Sequence, residues 1–66
     1  MNHYDFVYSG PYVVDLRQTI AAWCEEHDCL LETTALLKGS RFSISGPEDT
    51  IRLAIRSVRL WLRAAA

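Results

Sequence analysis

Chain breakers and staples are scarce in this 66-residue sequence, which has three glycines, two prolines and two cysteines. So few glycines and prolines exclude a low-complexity linker, and two cysteines are too few for the disulfide framework of a small secreted domain. Cys24 and Cys29 are therefore expected as free, packing thiols, the alternative being a disulfide that would have to bridge a helix end and a strand start. No apolar run approaches the roughly 18 residues of a membrane span. The start, Met1-Asn2-His3-Tyr4-Asp5, lacks the basic-then-apolar pattern of a signal peptide. The chain is expected to be soluble and cytoplasmic, without membrane contact. A glycine-rich phosphate loop, a nucleophile elbow and a His-Glu-x-x-His pair are all missing. A chain this short buries only about 60% of its unfolded surface, too little for a deep, dry catalytic pocket, so an enzyme is not expected. Nor does one charge dominate: the formal net is −1, far from the basic footprint of a dedicated nucleic-acid-binding domain.

What is present is a repeat. Phe6-Val7-Tyr8-Ser9-Gly10-Pro11 and Phe42-Ser43-Ile44-Ser45-Gly46-Pro47 each pass from a β-like run through Ser-Gly-Pro into a helical pattern carrying a tryptophan, Trp23 or Trp61. The first strand is expected over Tyr4–Tyr8, with Tyr4, Phe6 and Tyr8 on one face by the period of two. Pro11 suits the first position of a helix, where its missing N–H costs nothing. That helix runs to about His27 with Val13, Leu16, Ile20, Trp23, Cys24 and His27 on one side. Asp28 turns the chain into a second strand, Cys29–Leu37, and Lys38-Gly39-Ser40 forms a tight connection in which Gly39 takes positive φ. Arg41–Ser45 is the third strand. The second helix spans Pro47 to about Arg63, with Ser45 or Gly46 as its cap and Glu48 and Asp49 complementing the dipole. Its core side is Ile51, Ala54, Ile55, Val58, Trp61 and Leu62. Trp23 and Trp61 both require an apolar bed; if they are core, truncating either costs roughly 3–5 kcal/mol.

The predicted class is α+β, with element order β-α-β-β-α. A right-handed β-α-β crossover leaves room between its parallel strands for one antiparallel neighbour. The result is a three-stranded antiparallel sheet in the order 1-3-2, with both helices on one face and residues 1–66 forming a single domain. This topology resembles a ferredoxin-like fold lacking its last strand, and it leaves the first strand with a free edge that is either blunted by His3 and Asp5 or joined by a partner strand.

The charge is segregated. Residues 1–37 hold six carboxylates against Arg17, and residues 38–66 hold six bases against Glu48 and Asp49. Arg52, Arg56, Arg59 and Arg63 form a stripe on the second helix, with Leu53 and Leu60 turned away from the core beside it. Guanidinium forks recognise carboxylates or phosphates bidentately. The stripe therefore suits an acidic protein or a nucleic acid, unless it is consumed by pairing with Asp15, Glu25 or Glu26 on the first helix. Glu25, Glu26 and Asp28, with Glu32 nearby, make the opposite pole. It is either a solvated helix end or an imitation of a phosphate backbone. Cys24, His27 and Cys29 carry good zinc-ligand chemistry, but there is no second cysteine pair and His3 or Asp28 would have to complete the site, so no metal or cofactor is expected.

In size, layout and charge segregation the chain resembles the small inhibitors carried by phages and mobile elements, anti-CRISPR proteins among them. The resemblance implies a non-catalytic protein that binds a bacterial nucleic-acid-handling complex and blocks its substrate or partner site. Members of that group share no common motif, so the resemblance assigns no residue a role. The residues expected to bind the partner come from the two poles and the exposed leucines: Glu25, Glu26, Asp28, Glu32, Arg52, Leu53, Arg56, Arg59, Leu60 and Arg63. The alternative is a nucleic-acid-binding module using the arginine stripe. The expected state is a monomer or a weak homodimer, pairing first strands or Leu53/Leu60 faces.

Overall fold

The computed structural model describes residues 2–65. Along them the chain forms β1 (Asn2–Tyr8), α1 (Val13–Glu26), β2 (Leu30–Leu36), β3 (Gly39–Gly46) and α2 (Glu48–Ala64). The three strands make one open antiparallel sheet in the order β1-β3-β2. The class, element order and strand order are those the sequence predicts. In the antiparallel register Phe6 lies directly opposite Phe42, and the other face of the same pair of strands sets Asp5 against Ser43.

Alternation then divides the sheet. Tyr4, Phe6 and Tyr8 of β1, Phe42 and Ile44 of β3 and Leu31 of β2 pack in the core cluster with both helices. His3, Asp5, Arg41, Ser43 and Glu32 occupy the intervening positions and therefore point to the opposite face. α1 contributes Leu16, Ile20 and Cys24, each four residues on from the last, and α2 contributes Ile51, Ala54 and Val58. Phe42, Ile20, Ile44 and Val58 are the largest side chains wholly removed from solvent. Trp23 and Trp61 are not among them: both are half-buried and meet edge-on, ring centres 5.9 Å apart at 78°. They seal the seam between the helices instead of filling the centre.

The helix ends correct two expectations. α1 begins after Tyr12, not at Pro11, with Leu16 N–H donating to Tyr12 O (2.9 Å). α2 is capped by Pro47 itself in extended conformation, not by Ser45 or Gly46, and neither helix has a side-chain N-cap bond. α1 stops as the sequence suggests. Asp28 takes φ 55°, Cys29 N–H donates to Cys24 O (2.8 Å) and His27 N–H to Trp23 O (3.1 Å), a Schellman-type end with an aspartate where glycine is usual. Between β2 and β3 the turn is Leu37-Lys38, and Gly39 follows as the first residue of β3 with φ 115°. A side chain at Gly39 would also collide with the Tyr8 carbonyl.

Candidate partner-binding surfaces

The arginine stripe sits on α2 at positions 52, 56, 59 and 63. At 100° per residue these four positions span about 60° of the helix circumference. Trp61, on one side of the buried line, faces α1; Ile55 and Leu62 lie on the other side, with the arginines beyond them. α2 packs across β1 and β3, and α1 across β2 and β3. The stripe therefore lies on the flank of α2 away from α1, above the free edge of β1. Width explains the overhang. Three strands about 4.8 Å apart give a narrow sheet, and two helices about 10 Å thick, side by side, reach past its edges.

Pairing with the first helix does not consume the stripe. Among the described residues the one ion pair is Arg52 Nη2 to Glu48 Oε1 (3.0 Å), within α2 itself and with both side chains mostly exposed. Such a pair contributes little to stability. Arg56, Arg59 and Arg63 are exposed, as are Leu53 (49%) and Leu60 (63%) further round the helix.

The acidic pole is divided. Glu25 and Glu26 are exposed at the end of α1, and Asp28 follows in the turn. Glu32 lies beyond them on β2, opposite Ser43, on the sheet face that carries no helix. Only the first three share a surface. Two successive carboxylates in the last turn, with no basic residue there, oppose the α1 dipole. α2 has acids in its first turn and Arg63 in its last.

The sulfur–imidazole group is a packing site. Burial first, and the neighbouring Cys29 second, push the Cys24 thiol up to about 11 from its ordinary 9.0. Cys29 is raised by burial and by Asp28. Both cysteines pack with the core cluster. His27 stacks on Trp23, ring centres 4.0 Å apart, with Nδ1 2.8 Å from the Trp23 carbonyl oxygen. Trp23 thus contacts both His27 and, edge-on, Trp61.

Two features escape sequence reasoning. A groove of about 420 Å³ opens between the start of α1 and the end of α2, lined among others by Tyr12, Asp15, Thr19 and Trp61. Sequence distance hides it, since its walls are more than forty residues apart. The other is a strip of partly buried apolar side chains, Tyr4, Phe6, Ile55 and Leu62, which pack on the core from β1 and α2. Each reads as core by periodicity, and only the missing neighbour beyond β1 leaves it half open.

Comparison with protein families, curated proteins and solved structures returns no match. Among the described residues no helix is long and apolar enough to cross a membrane.

Proposed function

We propose that this chain is a small non-catalytic module that works by covering a surface on another protein, with the outer flank of α2 as its principal contact. The observation that carries this is the arginine stripe, left unpaired with the first helix and bordered by the exposed Leu53 and Leu60. Apolar side chains beside guanidinium groups suit a protein surface with carboxylates, where arginine anchors contribute disproportionately. The finer role, an inhibitor of the anti-CRISPR type acting on a bacterial nucleic-acid-handling complex, rests on the resemblance in size and charge layout alone. In that role Glu25, Glu26 and Asp28 would occupy a site that otherwise holds nucleic-acid phosphates.

The second reading, direct nucleic-acid binding by the stripe, is favoured by the same exposed arginines. The leucines beside them and the net charge of −1 count against it, because phosphate contacts dominate such affinity and need a wider basic footprint. The test is cross-linked capture from bacterial lysate by the native chain, Arg56→Glu and Glu26→Lys. Protein binding predicts that one substitution weakens a discrete protein complex while the circular dichroism of the domain is unchanged. If both variants retain every partner undiminished, the charged surfaces play no part.

A further inference from the structure

The free edge of β1, the half-open apolar strip and the arginine stripe occupy one flank of the molecule. β1 is the outer strand of an open sheet, so alternate backbone N–H and C=O groups along Asn2–Tyr8 have no strand beside them. Above that edge, Tyr4 and Phe6 from the sheet and Ile55 and Leu62 from α2 remain partly exposed, whereas Phe42 and Ile44 on the central strand are wholly buried. The arginines of α2 border the strip on its outer side. Among the described residues no strand pairs with this edge, and Asp5, the acid on β1, accepts a hydrogen bond from Ser43 Oγ (2.6 Å) on the opposite sheet face.

We infer that this flank receives a single extended segment of a partner protein, added to the sheet as a fourth strand beside β1, with apolar and acidic side chains interleaved on its helix-facing side. The inference rests on the protein-binding function proposed above and specifies how the partner is held. Main-chain hydrogen bonds to β1 supply affinity, and alternate side chains supply specificity. Apolar residues of the added strand close over Tyr4, Phe6, Ile55 and Leu62. Its carboxylates meet Arg52 and Arg59, the two stripe positions nearest Ile55 and Leu62 on the helix surface.

Charge selects this occupant over the alternatives. A second copy pairing β1 to β1 would continue the sheet but bring two α2 helices together on the same face, arginine stripe against arginine stripe. Like charges juxtaposed in an interface cost several kcal/mol. A nucleic acid could use the arginines but has neither strand hydrogen bonding for the β1 edge nor apolar side chains for the strip.

The arrangement can be tested in the full chain. Tyr8 Oη lies 3.5 Å from Ala65 O, so α2 ends beside the end of β1, and a strand joined there through a short flexible linker can run back along β1. Tethering raises its effective concentration enough to reveal weak pairing. Threonine occupies alternate positions of the added strand, with valine and glutamate taking turns between them; a control replaces glutamate with lysine. The readout is amide hydrogen exchange of Asn2–Tyr8. The inference predicts slowing of alternate β1 amides by about tenfold or more with the glutamate strand, little with the lysine strand, and loss of the effect in Arg52→Glu/Arg59→Glu. Unchanged β1 exchange with either strand would overturn it, and so would equal protection by both. Concentration-dependent protection of β1 in the untethered chain would give the edge to a second copy instead. If β1 stays unprotected while partner capture remains sensitive to Arg56→Glu, strand addition fails alone and protein binding stands.

Discussion

The two strand–turn–helix units share Ser-Gly-Pro but use it differently. In the second unit β3 continues through Gly46, Pro47 caps the helix, and α2 starts at the next residue. In the first, β1 ends at Tyr8 and four residues intervene before α1. The residue before Ser-Gly-Pro makes the difference. Ile44, the counterpart of Tyr8 in the repeat, is wholly buried as a β3 core residue. Tyr8 instead folds its phenol over the turn, accepting from Tyr12 N–H (3.3 Å) and donating to Ala65 O (3.5 Å). The motif provides a break between strand and helix, and the side chain before it decides how wide the break is.

The units also differ in surroundings. β3 has a strand on each side, while β1 has one. α2 matches its dipole at both ends, and α1 ends on two carboxylates. Both units fill the core, but the first, with the less-supported strand and helix end, also leaves an edge and an acidic pole available.

Four measurements can break or sharpen this contrast. The largest effect is expected at the paired phenylalanines. Phe42→Ala should cost about 3–5 kcal/mol in urea unfolding, enough to unfold a domain this small. Phe6→Ala, from a partly buried ring, should cost clearly less; equal losses would mean the β1 flank is as closed as the centre. Next comes alkaline pH. The folded state holds the Cys24 proton to about 11, while the unfolded chain releases it near 9.0. This contribution to stability is complete below pH 9 and is lost as pH rises through 11. The urea midpoint should fall across that window, and less steeply in Cys24→Val.

A third comparison concerns the glycines of the repeat. A Cβ at Gly10 would lie 2.5 Å from Tyr8 Oη, and one at Gly46 3.1 Å from Cys29 Sγ. Gly10→Ala should cost about 1–3 kcal/mol, the greater part of it absent in a Tyr8→Ala background. Gly46→Ala should cost less, with Cys29→Ala relieving it. If Tyr8→Ala does not soften Gly10→Ala, the phenol is not what shapes the first turn. The smallest effects belong to the helix ends. Glu26→Lys should raise stability by about 0.3–1 kcal/mol, and Arg63→Glu should lower it by a similar amount, both diminishing with added salt in thermal melts. Equal and opposite shifts are the expected result; no gain at Glu26 would mean the acidic pole does not strain α1.

Much of the fold is legible in the sequence because the repeat, the alternation in β1 and β3 and the periodicity of α2 are local signals that agree with one another. Gly39 and Asp28 mark their turns by the same logic. Burial is less legible. A helical wheel places Trp23 and Trp61 on the core side, but whether that side faces the sheet or the other helix depends on how two helices share three strands. Helix starts escape for a similar reason: proline is compatible with several adjacent positions, and tertiary contacts of Tyr8 choose among them. The candidate surface is legible as a stripe of arginines. That it hangs over a free strand edge emerges only from the packing of α2 across β1, and the division of Glu32 from Glu25, Glu26 and Asp28 only from the strand register.

Protein binding by the arginine flank is tested most directly by fluorescence anisotropy of labelled single- and double-stranded DNA and RNA, titrated with the native chain at low and physiological salt. The prediction is that no binding survives at physiological ionic strength and that Arg59→Glu changes nothing there. Salt-sensitive binding that persists to physiological salt and disappears in Arg59→Glu would contradict it, making the stripe a nucleic-acid surface.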